Sequence, residues 1–339
     1  WEGGEPPFDL MLVDEAYQLR DSQFAQISGL ASRHILVGDP GQIAPVTSVD
    51  VRRWQSMPDG PHQPAPNALL HRREEQTLRM MLPASRRLPH DTVGLVQPLF
   101  YPELPFQATS APEDRKLLVE SMNGHRWDGL IDQAKDGSSL TLGELPERAT
   151  GEFDPELSGE IVSLILRLQE RKAQTYDDGK TAELLPENIG VVCAHRSQVY
   201  AVQEALGQAG LEDVYVETAD RYQGLERQVM IVHHPLSGRT GLPEFGLDAG
   251  RMCVMLSRHR ISCFVLCRAG LEERLRGASG GVARILGSGE DRATQGKRVH
   301  LELLEQFQAQ GRTFCPGETS QTAEVEQPAP TRVDPTLQP

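Results

Sequence analysis

The feature that most constrains this chain is a short apolar run that ends abruptly at two carboxylates. Residues 10–13 are all apolar, and Asp14 and Glu15 follow them directly. Such a run is typical of a strand buried in a parallel sheet, and the carboxyl ends of these strands open onto a ligand crevice. There Asp14 can hold a Mg²⁺ ion that bridges nucleotide phosphates, and Glu15 can polarise an attacking water. A plainer interpretation is a strand that meets an acidic helix start.

A second apolar run, residues 34–37, ends in a similar way and leads into GDPGQ at residues 38–42. With this second segment in place, DEAYQ at residues 14–18 resembles motif II of superfamily 1 helicases, and GDPGQ resembles their motif III. The resemblance implies that Gln42 senses the γ-phosphate of ATP. Two motifs in family order, each at a strand end, favour the metal-site interpretation of the carboxylate pair.

A third segment, TADRYQGLE at residues 218–226, follows another predicted strand. Gly224 lets backbone N–H groups approach a phosphate, as glycines do in anion-binding turns. Thr218 and Gln223 offer neutral donors for contact with the sugar and phosphate of a nucleic acid, and Glu226 can accept from a ribose hydroxyl. The segment is similar to motif V of the same family. Taken by itself, it would be an ordinary loop.

Arg258 lies in SRHR at residues 257–260, after a predicted helical face of apolar side chains. This segment resembles motif VI, which implies that Arg258 is an arginine finger, although His259 replaces the small residue usual in the family.

A second arginine segment, ASRRLP at residues 84–89, is similar to the one that opens the second RecA-like domain in the nonsense-decay branch of the family. Alignment to Pro89 favours Arg86 over Arg87 as a second finger. Ser85 replaces the expected aromatic residue, and Arg87 and Leu88 replace Met-His, so the choice between the two arginines stays open. Outside this context, an Arg-Arg pair is usually a solvated surface.

The resemblance implies an α/β fold of two RecA-like parallel-sheet domains, the first incomplete at its amino end, with ATP and Mg²⁺ bound between them. It also implies movement along single-stranded DNA or RNA. The expected division of the chain is residues 1–83 for the end of the first domain, 84–270 for the second domain with a possible insertion at 106–153, 271–311 for a helical extension and 312–339 for a disordered tail.

No Gly-x-x-x-x-Gly-Lys-[Ser/Thr] phosphate loop occurs in the 339 residues. Gly179-Lys180-Thr181 matches its end, but Gln174 stands where the earlier glycine is needed, so we expect a solvated turn there. We therefore expect this chain to be the carboxyl-terminal part of a longer helicase whose missing amino-terminal part carries the P-loop. The alternative is a non-catalytic module, derived from a helicase, that binds nucleic acid or protein.

Composition excludes some other classes. A net charge of −14 argues against a protein that coats nucleic acid by bulk charge, but it does not exclude a strand-tracking groove. No apolar run approaches the roughly 18 residues of a membrane helix, so no membrane is expected. The five cysteines lack CxxC spacing and lie mostly in apolar runs, which indicates reduced thiols in a cytoplasmic protein.

The remaining pattern alternates helices with strands, as a parallel α/β sheet requires. Asp154-Pro155-Glu156 combines a cap, a first-turn proline and an acid near the helix dipole. The predicted elements are a helix beginning at Asp21 or Ser22, a strand at 77–82, a helix after Asp154, strands at 189–193, 214–217, 229–233 and 261–267, and a helix at 298–310.

Overall fold

The computed structural model describes residues 5–47, 50–51, 53–54, 57–278 and 292–316. The strands in this part of the chain are β1 (Phe8–Val13), β2 (Ala31–Leu36), β3 (Ala84–Ser85), β4 (Gln107–Ala108), β5 (Arg115–Leu118), β6 (Leu140–Leu145), β7 (Gln174–Asp177), β8 (Lys180–Glu183), β9 (Ile189–Cys193), β10 (Tyr215–Thr218), β11 (Arg227–His233), β12 (His259–Arg268) and β13 (Thr313–Phe314). The helices are α1 (Asp21–Ile27), α2 (Ala65–Arg73), α3 (His90–Phe100), α4 (Asp128–Lys135), α5 (Pro155–Glu170), α6 (Arg196–Gln208), α7 (Ala219–Tyr222), α8 (Glu244–Leu247), α9 (Ala249–Leu256), α10 (Leu271–Gly277) and α11 (Arg292–Ala309).

Six parallel strands form the main sheet, in the order β10-β9-β11-β12-β6-β13. Every residue of β9 is buried, as are nine of the ten residues of β12, because helices cover both faces of the sheet. Side chains of α4, α5 and α6 pack on one face, and those of α3, α9, α10 and α11 pack on the other. This confirms the predicted RecA-like α/β fold.

The four strands predicted between residues 189 and 267 are confirmed as β9 to β12, with small shifts at their ends. The helix predicted after Asp154 is α5, and the Asp154 carboxylate caps it by accepting a hydrogen bond from the Leu157 amide at 3.0 Å. The last predicted helix is confirmed as α11. These elements were predictable because each has a continuous apolar run or a regular apolar stripe.

Residues 106–153, expected as a possible insertion, contribute a strand to the interior of the main sheet. β6 pairs with β12 on one side and with β13 on the other. β13 lies inside the expected tail, which is therefore ordered at residues 313–314; residues 317–339 of that tail lie outside the described residues. Sequence reasoning missed β6 because polar residues and a glycine interrupt its apolar run and because its partners are distant along the chain.

Near the amino end, β1 and β2 form a separate parallel pair, with Phe8 opposite Ala31 and Val13 opposite Leu36. Both predicted strands are confirmed, but the predicted burial of β1 is wrong: Phe8 is 60% exposed and Leu12 is 65% exposed. Among the described residues, β2 is the one strand that pairs with β1, so the pair is not enclosed in a larger sheet.

The strand predicted at residues 77–82 is wrong. This segment has no regular structure, and Leu78, Met80 and Leu82 are strongly exposed. A strand forms only against a hydrogen-bonded neighbour, and no described strand pairs with this segment.

The start of α1 agrees with the sequence in position but not in its cap. The Gln23 side chain accepts a hydrogen bond from the Arg20 amide at 3.1 Å. The carboxylate of Asp21, one of the two predicted caps, instead accepts two hydrogen bonds from Arg72, at 2.6 and 2.8 Å.

Gly179 lies in the tight turn of the β7–β8 hairpin, as the plainer interpretation predicted, and Lys180 is the first residue of β8. Asp178 and Gly179 both have positive φ, 47° and 87°, the arrangement of a type I′ turn. Four of the five cysteines are buried thiols, and Cys315 is exposed. No helix in the described ranges has the length and apolar character to cross a membrane.

A buried ion pair ties α5 to the end of β12. Two nitrogens of Arg268 each donate at 2.9 Å to the carboxylate of Asp154, and both side chains are almost fully buried. Burial by itself raises the pKa of Asp154, but the hydrogen bonds from Arg268 and Leu157 outweigh it, so the pKa lies below its ordinary value. Asp154 is therefore ionised at neutral pH.

We predict that Asp154→Asn lowers the free energy of unfolding by about 3–5 kcal/mol, because it leaves the buried Arg268 charge with only the more exposed carboxylate of Glu156 as a partner. Glu156→Gln, at the more exposed second partner of Arg268, should cost about 1 kcal/mol or less. Urea unfolding at pH 7 measures both.

Because the folded-state pKa of Asp154 is depressed, its contribution is present above the unfolded pKa of about 3.9 and is lost as pH falls through the lower folded value. The difference between wild type and Asp154→Asn should therefore shrink in acid. Equal losses for the two variants at pH 7 would contradict the assignment.

Candidate functional site

The loops that follow β1 and β2 touch each other. The Ala16 amide donates to the Val37 carbonyl at 2.8 Å, and the Val37 amide donates to the Val13 carbonyl at 2.8 Å. Gly38 packs so closely against Ala16 that an added Cβ would lie 3.0 Å from its amide nitrogen. The acidic segment and the 38–42 loop are thus side by side.

Asp14 and Glu15 form a sharp exposed turn at the end of β1. Glu15 has φ 51°, a left-handed conformation that costs a residue with a side chain roughly 1–2 kcal/mol. The Glu15 amide donates to Asp14 Oδ1 at 2.9 Å, and Gln18 Nε2 donates to Glu15 Oε2 at 3.3 Å. This strained turn presents both carboxylates outward, and such strain often marks functional sites.

The exposed carboxylate of Asp14 has the chemistry of a ligand that holds a magnesium ion jointly with nucleotide phosphates. The described residues hold no group of three or more His, Cys, Asp or Glu side chains able to bind a metal by themselves. Mg²⁺ in nucleotide sites is usually bound by one or two carboxylates together with phosphate oxygens and water, which requires no larger protein cage.

Asp39 is the centre of the 38–42 loop and connects it to the other half of the chain. Its Oδ1 accepts from the Gly41 amide at 2.9 Å; its Oδ2 accepts from Gln42 Nε2 at 2.7 Å and from the Tyr101 hydroxyl at 2.9 Å. Tyr101 follows α3, and its hydroxyl also lies 3.2 Å from Cys253 Sγ in α9. Burial, then Cys253 and Asp39, raise the pKa of Tyr101, so its hydroxyl stays protonated and donates.

Two glycines permit this approach of the two halves. A Cβ on Gly41 would collide with the Tyr101 ring, and a Cβ on Gly250, within α9, would collide with the Gln42 carbonyl. The side-chain nitrogen Nε2 of Gln42 donates a hydrogen bond to Asp39. The side-chain oxygen Oε1 of Gln42 is buried with no hydrogen-bond partner among the described residues. An acceptor is therefore left at the junction.

Arg258 is buried just after α9. It is 1% exposed; its Nε donates to the Val254 carbonyl at 3.2 Å, and its Nη2 is buried with no hydrogen-bond partner in the part of the chain that the structure describes. Burial first, and then the nearby Arg87 guanidinium, lower the pKa of Arg258. A buried guanidinium with unused donors is suited to an anion.

The two consecutive arginines have different surroundings. Arg87 Nε donates to Glu226 Oε2 at 2.8 Å, and Arg87 Nη1 approaches the Ser257 carbonyl at 3.4 Å. The Arg86 side chain is exposed. Glu226 also meets Arg260 Nη1 through Oε1 at 3.4 Å, so a ribose hydroxyl would have to compete with two guanidinium groups for its oxygens.

The residues of the 218–226 segment lie at two edges of the main sheet. Thr218 is at the carboxyl end of β10, whereas Glu226 directly precedes the amino end of β11. Gln223 lies between them, and its Nε2 is buried without a hydrogen-bond partner in the described ranges. Gly224 has φ 79° and open space where a Cβ would be. The structure thus separates Thr218 from the Glu226–Arg258 region.

Sequence reasoning did not find Tyr101. It is an aromatic residue after a helix, and no local pattern indicates that its hydroxyl reaches Asp39, 62 positions earlier. It also missed the electrostatic role of Arg260, which resembles an ordinary charge at the start of a strand.

Comparison with known proteins finds a matching family model and sequence relatives. Residues 154–270 match the family model described as an AAA domain. Over 265 residues, 76% of the chain, the sequence is 22% identical to the DNA replication ATP-dependent helicase/nuclease dna2 of Schizosaccharomyces pombe, of which it covers 18%. Over 82 residues, 24% of the chain, it is 30% identical to the DNA replication ATP-dependent helicase/nuclease DNA2 of Bos taurus, of which it covers 8%.

Among solved structures, the PRRSV helicase is similar at a TM-score of 0.38 and 14% identity, over 79% of this chain and 36% of that chain. The chain spans less than a fifth of the length of both curated relatives. The match to the AAA domain model spans residues 154–270, and the sequence similarity to a helicase/nuclease extends over 76% of the chain.

We predict that Gly250→Ala lowers the free energy of unfolding by about 1–3 kcal/mol, because the new methyl group meets the backbone of Gln42. Gly94→Ala is the matched control, since it lies within α3 and has no atom within 4 Å of the added methyl group. The free energy of unfolding of Gly94→Ala should rise by up to about 1 kcal/mol, because alanine has a higher helix propensity than glycine. Denaturant unfolding compares the two variants. An equal rise in the free energy of unfolding at both positions would mean that the 38–42 loop does not contact α9 in solution.

Proposed function

We propose that this chain is the carboxyl-terminal part of an ATP-dependent helicase or translocase that acts on single-stranded nucleic acid. The observation that carries the proposal is Arg258, a buried guanidinium with an unpartnered Nη2. The helix that precedes it, α9, adjoins the loop that carries Asp39 through the contacts of Tyr101 with Cys253 and Asp39. An arginine of this kind suits the γ-phosphoryl group of ATP, whose charge develops during transfer.

In this proposal ATP lies between the two halves of the chain. Asp14 would hold Mg²⁺, which would supply charge neutralisation at the phosphates when bound, and Glu15 would accept a proton from the attacking water. Arg258 and Arg86 act as arginine fingers. The exposed position of Arg86 supports its choice, because Arg87 is already engaged by Glu226.

The contacts of Gln42 refine its proposed sensor role. Because Asp39 fixes its amide nitrogen, the atom left for the nucleotide site is the acceptor Oε1. An acceptor can orient the attacking water, whereas contact with a phosphate oxygen requires the amide nitrogen to leave Asp39. Gln42 would therefore sense the γ-phosphate by exchanging one partner for the other.

We further propose that an amino-terminal segment of the same protein supplies the P-loop and completes the first sheet. The 339 residues contain no P-loop sequence. The apolar side chains left exposed on β1, β2 and the 77–82 segment support this proposal, because a completed sheet would cover them. Without that segment, we expect the chain neither to bind ATP tightly nor to hydrolyse it.

For the nucleic acid, we propose single-stranded DNA, because the curated relatives are described as DNA replication helicase/nucleases. Thr218 and Gln223 are the proposed contacts to its backbone. Gly224 is instead a proposed contact of the nucleotide, because its backbone permits close approach of a phosphate. In this arrangement, nucleic acid contacts the carboxyl edge of the main sheet at Thr218, while Glu226 and Arg258 serve ATP from the opposite edge.

The first test distinguishes the proposed role of Asp14 as a metal ligand from that of Glu15 as a general base. It uses the protein that includes the P-loop segment. Glu15→Gln should abolish ATP turnover and leave nucleotide binding nearly intact, because an amide cannot accept the proton from water. Asp14→Ala should weaken Mg·ATP binding itself. Binding of a fluorescent ATP analogue and steady-state ATPase activity measure the two effects. An equal loss of binding in both variants would refute this division of roles.

The second test concerns the arginines. Arg258→Ala should reduce kcat by about 10³ or more with a much smaller change in ATP affinity, and Arg258→Lys should restore little, because an ammonium lacks the planar fork. Arg86→Ala should resemble Arg258→Ala, whereas Arg87→Ala should stay within about tenfold of wild type. DNA-stimulated ATPase activity measures all four variants.

An unchanged Arg258→Ala would overturn the two-domain mechanism. A severe loss in Arg87→Ala beside an unchanged Arg86→Ala would move the second finger by one residue. A complete protein that binds nucleic acid but lacks ATPase activity would instead be the non-catalytic module.

A further inference from the structure

Asp177 connects two arginines near the proposed ATP site, although it lies outside the main sheet. It is the last residue of β7, in the three-stranded antiparallel sheet β5-β7-β8. Its Oδ1 accepts from Arg115 Nε at 3.1 Å, and its Oδ2 accepts from Arg260 Nε at 2.9 Å. The Asp178-Gly179 turn fixes the hairpin and therefore the position of this carboxylate.

Arg115, the first of these two arginines, binds the backbone of residues 86 and 87. The Arg115 side chain is 4% exposed; its Nη2 donates to the Arg86 carbonyl at 2.7 Å, and its Nη1 donates to the Arg87 carbonyl. One guanidinium thus fixes the direction of two successive peptide groups. These are the peptide groups of the residue proposed as an arginine finger and of its neighbour.

Arg260, the second of these arginines, contacts the side chain of Glu226 and through it that of Arg87. Arg260 Nη1 meets Glu226 Oε1 at 3.4 Å, and Glu226 Oε2 accepts from Arg87 Nε at 2.8 Å. Asp177 therefore reaches the 86–87 loop by two independent routes, through its backbone and through the Arg87 side chain.

The charge balance of this cluster depends on Asp177. Three guanidinium groups, from Arg87, Arg115 and Arg260, are matched here by the two carboxylates of Asp177 and Glu226. Burial raises the pKa of Asp177, but hydrogen bonds and charges from Arg260 and Arg115 outweigh it and lower the pKa, so Asp177 is ionised at neutral pH. Neutralising it leaves Arg115 and Arg260 as adjacent like charges.

We propose that Asp177 is a positioning residue for the Arg86 finger, acting through Arg115 on the backbone of Arg86 and through Arg260 and Glu226 on the neighbouring Arg87. This inference rests on the proposed function. Catalysis by an arginine finger requires the guanidinium to be held in place before the reaction, and a displacement of about 1 Å can cost about 10²-fold in rate. The β7–β8 hairpin thus holds the 86–87 loop in position through Asp177.

The test compares Asp177→Asn with Asp178→Asn in the protein that includes the P-loop segment. Both variants remove one negative charge from adjacent positions, and asparagine tolerates the left-handed conformation of Asp178. With saturating single-stranded DNA, Asp177→Asn should reduce kcat by about 10- to 100-fold and change the KM for ATP by less than about threefold. Asp178→Asn should match wild type.

A second measurement on the present chain does not depend on ATPase activity. In ¹⁵N spectra of the arginine Nε–H groups, Asp177→Asn should shift the signals of Arg115, Arg260 and Arg87 and speed their exchange with solvent, and Asp178→Asn should leave them in place. Arg260→Gln, which cuts one of the two routes, serves as a second variant if Asp177→Asn folds poorly. It should shift the Arg87 signal and reduce kcat by a smaller factor.

The outcomes separate the two proposals. If wild type hydrolyses ATP and Asp177→Asn lowers only the melting temperature, Asp177 is merely structural and this inference is overturned. Unchanged arginine signals in Asp177→Asn would overturn it as well. If the wild-type protein with its P-loop segment has no ATPase activity, the proposed function fails, and the inference fails with it.

Discussion

Parallel strand pairing decides where Asp14, Asp39, Glu226 and Arg258 lie. In a parallel sheet all carboxyl ends share one edge and all amino ends share the other. Asp14 and Asp39 follow the carboxyl ends of β1 and β2, whereas Glu226 and Arg258 precede the amino ends of β11 and β12. The proposed site therefore joins the carboxyl edge of one sheet to the amino edge of another. Such a junction can open and close without disturbing either sheet.

Specific polar contacts cross this junction within the described ranges. The Tyr101 hydroxyl reaches Asp39, and Gly250 gives the Gln42 carbonyl room against α9. A junction of this kind, with polar contacts and two close glycine approaches, suits a site whose halves must separate after each reaction. The buried Arg258 is the costly part of the arrangement, because its charge has no carboxylate partner among the described residues.

Arginine side chains form a polar network beside the loop of the proposed finger. Arg87, Arg115 and Arg260 form one network with Asp177 and Glu226. Planar guanidinium groups can bind a carboxylate and a backbone carbonyl at once, which lysine cannot do with the same fixed geometry. The network therefore transmits the position of a surface hairpin to the loop of the proposed finger.

The sequence by itself determined the α/β class, the strands β9 to β12, the cap at Asp154 and the order of the candidate motifs. Each of these depends on local periodicity or on residues adjacent in the chain. Only the tertiary structure decided that β6 belongs to the main sheet, that residues 77–82 form no strand, and that Tyr101 and Asp177 reach the site. These features depend on partners far away in sequence, and local pattern carries no information about a partner that folding alone brings near.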